Sequence, residues 1–165
     1  MNKEIRRKDR FVTDIKQILK IVDEAKILHL GLIDGVFPYI IPLHYGYEYN
    51  EERDGFIFYM HGAKVGHKIN LINENSNACI ELETDIELDP AGDVPCQYGS
   101  FYSSVIGQGI AEIVDEIEEK KHGLKLLMLN QTGRVFEFTE QMVNAVTVIK
   151  VEIADYTAKA RMKMK

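Results

Sequence analysis

The sequence predicts a mainly β, α+β fold, an antiparallel barrel of about six strands with three helices on its periphery. Three observations lead there. Strand-like stretches follow one another as hairpins instead of alternating regularly with helices. The pair Asp34-Gly35 between two such stretches is a strong hairpin signal. Residues 98–114 read as one long strand that carries Gly107 and Gly109, where a bulge or sharp coil would curve a small barrel.

The elements follow in order. A helix is expected over residues 13–25, with Thr13 able to cap it, Asp14 favourably placed in its first turn, and Ile15, Ile18, Leu19 and Val22 at helical spacing. Residues 26–33 form a strand, and residues 37–47 return as its partner. That partner puts Phe37, Tyr39, Ile41, Leu43, Tyr45 and Tyr47 on one face and Pro38, Ile40, Pro42, His44 and Gly46 on the other. Two prolines on one face remove ladder donors, which places the strand at an edge, a bulge or a barrel rim, where a ligand could fill a neighbouring strand's space. A polar turn over 50–54 leads into a strand over 55–60, a helix over 65–74 with Val65, Ile69 and Ile72 inward, and a strand over 77–83. Residues 84–96 are an acidic loop bearing Pro and Gly, either covering a site or subunit contact or forming a solvated excursion. After the long strand, a helix over 116–130 presents Ile117, Leu124, Leu127 and Met128 despite its interior Gly123, and a strand over 145–153 completes the pattern.

The chain of 165 residues, 45% hydrophobic, is long enough for one well-buried core, so residues 1–165 are read as a single domain. A net charge of −6 argues against a surface that tracks nucleic-acid phosphates. The basic stretches 3–10 and 159–165 read as solvated ends in preference to a nucleic-acid arm. Cys79 and Cys96 have no zinc-like spacing, which fits a reducing cytoplasm, and Cys79 in its apolar strand reads as a small buried thiol. No apolar run approaches membrane-spanning length, so neither secretion nor membrane insertion is expected.

The densest chemistry lies in His61-Gly62-Ala63-Lys64-Val65-Gly66-His67-Lys68, where a strand gives way to a helix. A helix start exposes unpaired N–H groups and a partial positive charge, so Lys64 and Lys68 are there with the wrong sign. An anion bound at the turn would reverse this, and Gly62 and Gly66 would let backbone approach it. A solvated basic helix end is the other reading. The segment is neither a Rossmann turn nor a Walker loop. The five histidines show no metal-binding pattern, so no metal is expected. His29, alternating with leucines, reads as a structural histidine. His44 and His61 lie at strand ends, where imidazole could hydrogen-bond a heteroaromatic ligand or simply pack and be solvated. Adjacent Ser103 and Ser104 send hydroxyls to opposite faces, so one needs a polar partner from a ligand or from the protein.

The opening Arg6-Arg7-Lys8-Asp9-Arg10, the strand Pro38-Tyr39-Ile40-Ile41-Pro42-Leu43-His44-Tyr45-Gly46-Tyr47, the turn 61–68, and Tyr102-Ser103-Ser104-Val105-Ile106-Gly107-Gln108-Gly109 occur in an order that resembles the flavin-binding split-barrel superfamily around pyridoxamine 5′-phosphate oxidase, most closely its nitroimidazole-resistance branch. The resemblance implies a six-stranded antiparallel split β-barrel that forms a homodimer with FMN at the subunit interface. It implies that Ala63, Lys64, His67 and Lys68 hold the phosphate, with His61 and Gly62 lining the approach. Pro42, Leu43, His44 and Tyr45 would flank the ring or ribityl chain, and Ser103, Ser104 and Val105 would contact the ring edge. His61 is the candidate for a group near the substrate. Ala63-Lys64-Val65 stands where the oxidases carry a Ser-Arg-Lys run, and their C-terminal substrate-binding arginine and histidine are not evident, which points away from oxidation of pyridoxamine phosphate. The expected function is an FMN-dependent oxidoreductase reducing a small nitro compound or similar acceptor. The alternative is a non-catalytic flavin or haem binding module, with His44 or His61 as axial ligand.

Overall fold

Alternating apolar residues close the strands around one core in the computed structural model, which describes residues 7–163. The elements run β1 (Phe11–Val12), α1 (Ile15–Glu24), β2 (Leu28–Asp34), β3 (Phe37–Leu43), β4 (Tyr45–Asn50), β5 (Gly55–Gly62), α2 (His67–Glu74), β6 (Asn77–Asp89), β7 (Gly99–Val114), α3 (Ile117–Thr132), α4 (Glu140–Val143) and β8 (Thr147–Arg161). The fold is mainly β, with all strands among the described residues in one antiparallel sheet of eight in the order β3-β2-β6-β7-β8-β5-β4 and β1 also paired with β8. The two outermost strands, β3 and β4, are consecutive in the chain and separated only by His44. A sheet whose opposite edges are joined by one residue has to curl round on itself. β3 pairs with β2 and β4 with β5, so the barrel stays open along a seam cornered by His44.

The expected six strands are therefore eight. The strand foreseen over 37–47 breaks at His44, and β1 adds a two-residue pairing. The break follows from what Tyr45 and Gly46 must reach. Tyr45 is fully buried, and its hydroxyl donates to the carbonyls of Val22 and Ala25 at 2.6 and 2.9 Å, closing the C-terminal end of α1. Gly46 lies against the α3 backbone, where a Cβ would stand 2.1 Å from the Leu127 nitrogen. Edge position for the proline strand agrees with the reading, since Pro38 and Pro42 lie on β3.

The first half of the acidic stretch 84–96 is strand, and the expected loop is confined to its second half, 90–96. β6 continues to Asp89 through a register shift between Thr84 and Glu87, with Asp85 at φ 57°. Ion pairs of Glu87 with Lys163 and Asp89 with Arg161 hold this arm. The last strand likewise runs to Arg161, eight residues past its expected end, so Lys159 and Arg161 belong to the sheet and not to a solvated tail. Residues 1–6 and 164–165, with the rest of both basic ends, lie outside the described residues. Asp14, not Thr13, caps α1, its carboxylate accepting from the Lys16 N–H at 3.1 Å. α2 begins at His67, two residues later than the pattern suggests.

Inside the barrel, Leu28, Leu30, Tyr45, Phe56, Phe58, Met60, Ile80, Leu82, Val105 and Ile149 form the centre of the core. A second cluster of Tyr59, Val114, Leu124, Val143 and Val148 seats α3 and α4 on the outside. Gly123 permits that packing, because a Cβ there would stand 2.6 Å from the Tyr59 ring. The bulge expected near Gly107 and Gly109 is present as a register shift between Gln108 and Gly109 in the β7–β8 ladder. No helix among the described residues is long and apolar enough to cross a membrane.

Candidate functional site

The seam, the end of β5 and the start of α2 meet at one place. Tyr45 is in register with Met60, so His44 and His61 follow as neighbours across the corner of the seam. Lys68, in the first turn of α2, folds back over Gly62, where a Cβ would stand 2.7 Å from its Cε and 2.9 Å from its Nζ. The missing side chain at Gly62 is what lets the ammonium settle over the backbone. Gly66, at φ 145°, is the α2 N-cap and offers no side-chain acceptor, and the first turn holds no acidic residue. The leading N–H groups of α2 and the Lys68 ammonium thus present positive potential to the same space, the arrangement that suits a phosphate.

His67 is placed differently. Its Nε2 lies 2.7 Å from an Asp34 carboxylate oxygen, and its ring meets Tyr39 edge-on at 5.0 Å. Asp34 was legible only as half of a hairpin signal; its second role, tying the β2–β3 turn to α2, appears only when those elements come together. Ala63, Lys64 and Val65 stand exposed in the connecting loop. The pKa of His61 is lowered by partial burial first, then by His44 and Lys68, so the ring favours its neutral form more than a free histidine does.

The remaining candidate residues separate into groups. Pro42 is exposed on β3 and Leu43 packs against the core. Tyr45 has its hydroxyl committed to α1, and its carbonyl accepts from Asn130 and Gln131, so its polar atoms are engaged inside the protein. Ser103 is buried and its hydroxyl lies 3.1 Å from the Asp85 carboxylate. Val105 is buried in the core. Ser104 faces outward, in register with Glu83 on β6 and Lys159 on β8. Gly62, at the basic turn, pairs with Thr147 of β8, whereas Ser104 pairs with Lys159, twelve residues further along the same strand. The chain therefore gathers His61, Gly62, His67 and Lys68 around the basic turn with His44 across the seam, and leaves the serines on β7, three strands from β3.

The outer face of β3, β2, β6, β7 and β8 carries a groove of about 1020 Å³ lined by Ile33, Pro38, Ile40, Cys79, Ile110 and others. Several of its apolar side chains are exposed, Ile40 at 62% and Ile110 at 49%. Cys79 is half-buried on this face and not in the core. His29 is also here, 3.1 Å from a Glu81 oxygen, and burial with the nearby Glu83 charge raises the Glu81 pKa against the opposing effect of His29. No group of His, Cys, Asp and Glu among the described residues is arranged to hold a metal.

A family model described as pyridoxamine 5′-phosphate oxidase matches residues 14–160. No curated protein matches the sequence. Among solved structures, a candidate 5-nitroimidazole antibiotic resistance protein from Bacteroides thetaiotaomicron is 29% identical, with a TM-score of 0.76 over 90% of this chain and 85% of that one. The flavocytochrome Anf3 from Azotobacter vinelandii is 19% identical, with a TM-score of 0.78 over 97% of this chain and 73% of its own. An FAD and haem binding protein from Mycobacterium smegmatis is 15% identical, with a TM-score of 0.75 over 93% and 74%. The last two share the fold.

Proposed function

We propose that this chain, which belongs to the pyridoxamine 5′-phosphate oxidase family, is an FMN-binding oxidoreductase that works in the cytoplasm as a homodimer and reduces a nitro compound or a similar small acceptor. The observation that carries the proposal is the Lys68 ammonium over Gly62 beside the uncapped start of α2. Those groups fit a flavin phosphate: the His67 and Lys68 N–H groups and the Lys68 ammonium are unspent, while the Ile69 and Asn70 N–H groups close onto the Gly66 carbonyl. Proteins of this family bind flavins, and the 29% identical structure bears a nitroimidazole-resistance description. FMN, when bound, supplies the electron transfer.

The chain's own residues then hold and orient. Lys68 and the α2 N–H groups bind the phosphate, and Lys64 adds longer-range attraction from its exposed loop. His67, fixed by Asp34 and Tyr39, borders the same turn. His44 and His61 line the seam, and His61, held toward its neutral form, can donate or accept one hydrogen bond next to the substrate. Dimerisation is supported by the exposed apolar outer face and by the distance between the basic turn and Ser104, which a second copy would make up with its own β7. The absence of a Ser-Arg-Lys run at 63–65 speaks against oxidation of pyridoxamine phosphate.

His61 gives a direct signal of occupancy. Its imidazole should titrate below the usual histidine value of about 6.5 in the flavin-free protein, and FMN should raise that midpoint, because the phosphate offsets the Lys68 charge. Side-chain NMR across pH reads both values, and an unmoved midpoint would place the phosphate away from Lys68. Activity is tested by anaerobic turnover of a nitroaromatic with FMN-loaded protein and a reduced nicotinamide donor. Consumption of the nitro group supports an enzyme, whereas tight FMN binding without turnover of several acceptors would identify a binding module. His44 and His61 across the seam also suit haem, and a Soret band on reconstitution would favour that second reading.

A further inference from the structure

Four of the eight half-buried cations among the described residues meet a carboxylate. Lys150 lies 2.5 Å from Glu112 and 3.0 Å from Glu119, Lys121 meets Glu118, Lys125 meets Glu137, and Arg161 meets Asp89. Among the described residues, Arg10, Lys68, Lys120 and Lys159 are half-buried without an ion pair. Lys68 belongs to the basic turn and Lys120 to the surface of α3. Arg10 and Lys159 lie together at the far end of the outer face.

Lys159 stands in register between Ser104 of β7 and Phe11 of β1. Arg10, the residue before Phe11, sets its guanidinium 6.0 Å from the centre of the Tyr102 ring. Tyr102 and Ser104 are two apart on β7, so they project from the same face. Two cations, a hydroxyl and an aromatic ring therefore share one patch. The neighbouring acids are largely committed: Asp9 to Arg7 at 2.5 Å and Asp89 to Arg161. Glu83 is in register with Ser104 from the opposite side, two strands away from Lys159. A cation drawn partly out of water without a counter-charge is unfavourable, and a ligand carboxylate supplies both the charge and the hydrogen bonds.

We infer that Arg10, Tyr102, Ser104 and Lys159 form a subsite for an aromatic carboxylate. The Lys159 ammonium and Ser104 hydroxyl take the carboxylate, Arg10 adds charge, and the Tyr102 ring receives the ligand's aromatic face. This rests on the reading of the protein as a reductase of small aromatic acceptors, and gives that acceptor a negative charge. Neutral nitroaromatics would use the ring contact alone.

The test compares 4-nitrobenzoate with its neutral counterpart 4-nitrobenzyl alcohol by calorimetry, without reductant, on the protein as isolated and after FMN loading. The acid is expected to bind about tenfold tighter, the value of one charge-assisted contact, with the preference shrinking as salt rises. Lys159→Gln should erase the preference while FMN affinity and melting temperature stay unchanged, and Arg10→Gln should reduce it. Equal binding of the two probes, a preference that survives Lys159→Gln, or a loss of FMN affinity in that variant would each overturn the subsite. Failure of the flavin reading is seen separately, as no FMN uptake by the unaltered chain.

Discussion

Replacing Lys68 with alanine weakens FMN binding roughly 10- to 100-fold, the loss of one charged hydrogen bond of about 1.5–3 kcal/mol. The fold should lose less than about 0.5 kcal/mol, because the ammonium is not part of the core. Lys64→Ala should cost only about two- to threefold, since Lys64 is exposed in its loop and acts through water. Gly62→Ala should fall between them: the new Cβ meets the flexible end of Lys68 at 2.7 Å and pushes it aside without touching backbone. Fluorescence titration of FMN with each variant measures all three. Unchanged affinity in Lys68→Ala, with the melting curve intact, would show that the phosphate sits elsewhere.

Gly46→Ala should destabilise the protein by more than about 3 kcal/mol, the scale of overpacking that cannot relax. The added Cβ would stand 2.1 Å from the Leu127 nitrogen and 2.2 Å from the Leu126 carbonyl carbon, both backbone atoms of α3. Relief would require α3 to move off β4, taking with it the hydrogen bonds from Asn130 and Gln131 to the Tyr45 carbonyl. Urea denaturation measures the loss. A change under about 1 kcal/mol would show that α3 can back away, and that Gly46 does not force the corner at His44.

Much of the barrel was legible because local signals agreed with it: Asp34-Gly35 closes a hairpin, the two prolines lie on an edge strand, and a bulge falls beside Gly109. The break at His44 was not. Phe37 to Tyr47 alternates without interruption in the sequence, and only the tertiary demands on Tyr45 and Gly46 turn the chain. The length of β6 was hidden for a related reason, since the acidic residues up to Asp89 read as loop until Lys163 and Arg161 arrive from the far end of the sequence to pair with Glu87 and Asp89. At the site, Lys68 announced itself by carrying the wrong charge for a helix start, whereas Asp34, its tie to His67 and the cations beside Ser104 depend on contacts between distant segments.

The central claim, that the turn from His61 to Lys68 holds a flavin phosphate, is tested most directly by the absorbance spectrum of the purified protein after incubation with FMN and gel filtration. The account predicts a flavin spectrum that travels with the protein at about one FMN per protomer, and its loss in Lys68→Ala. FMN that separates completely from the unaltered protein would contradict it.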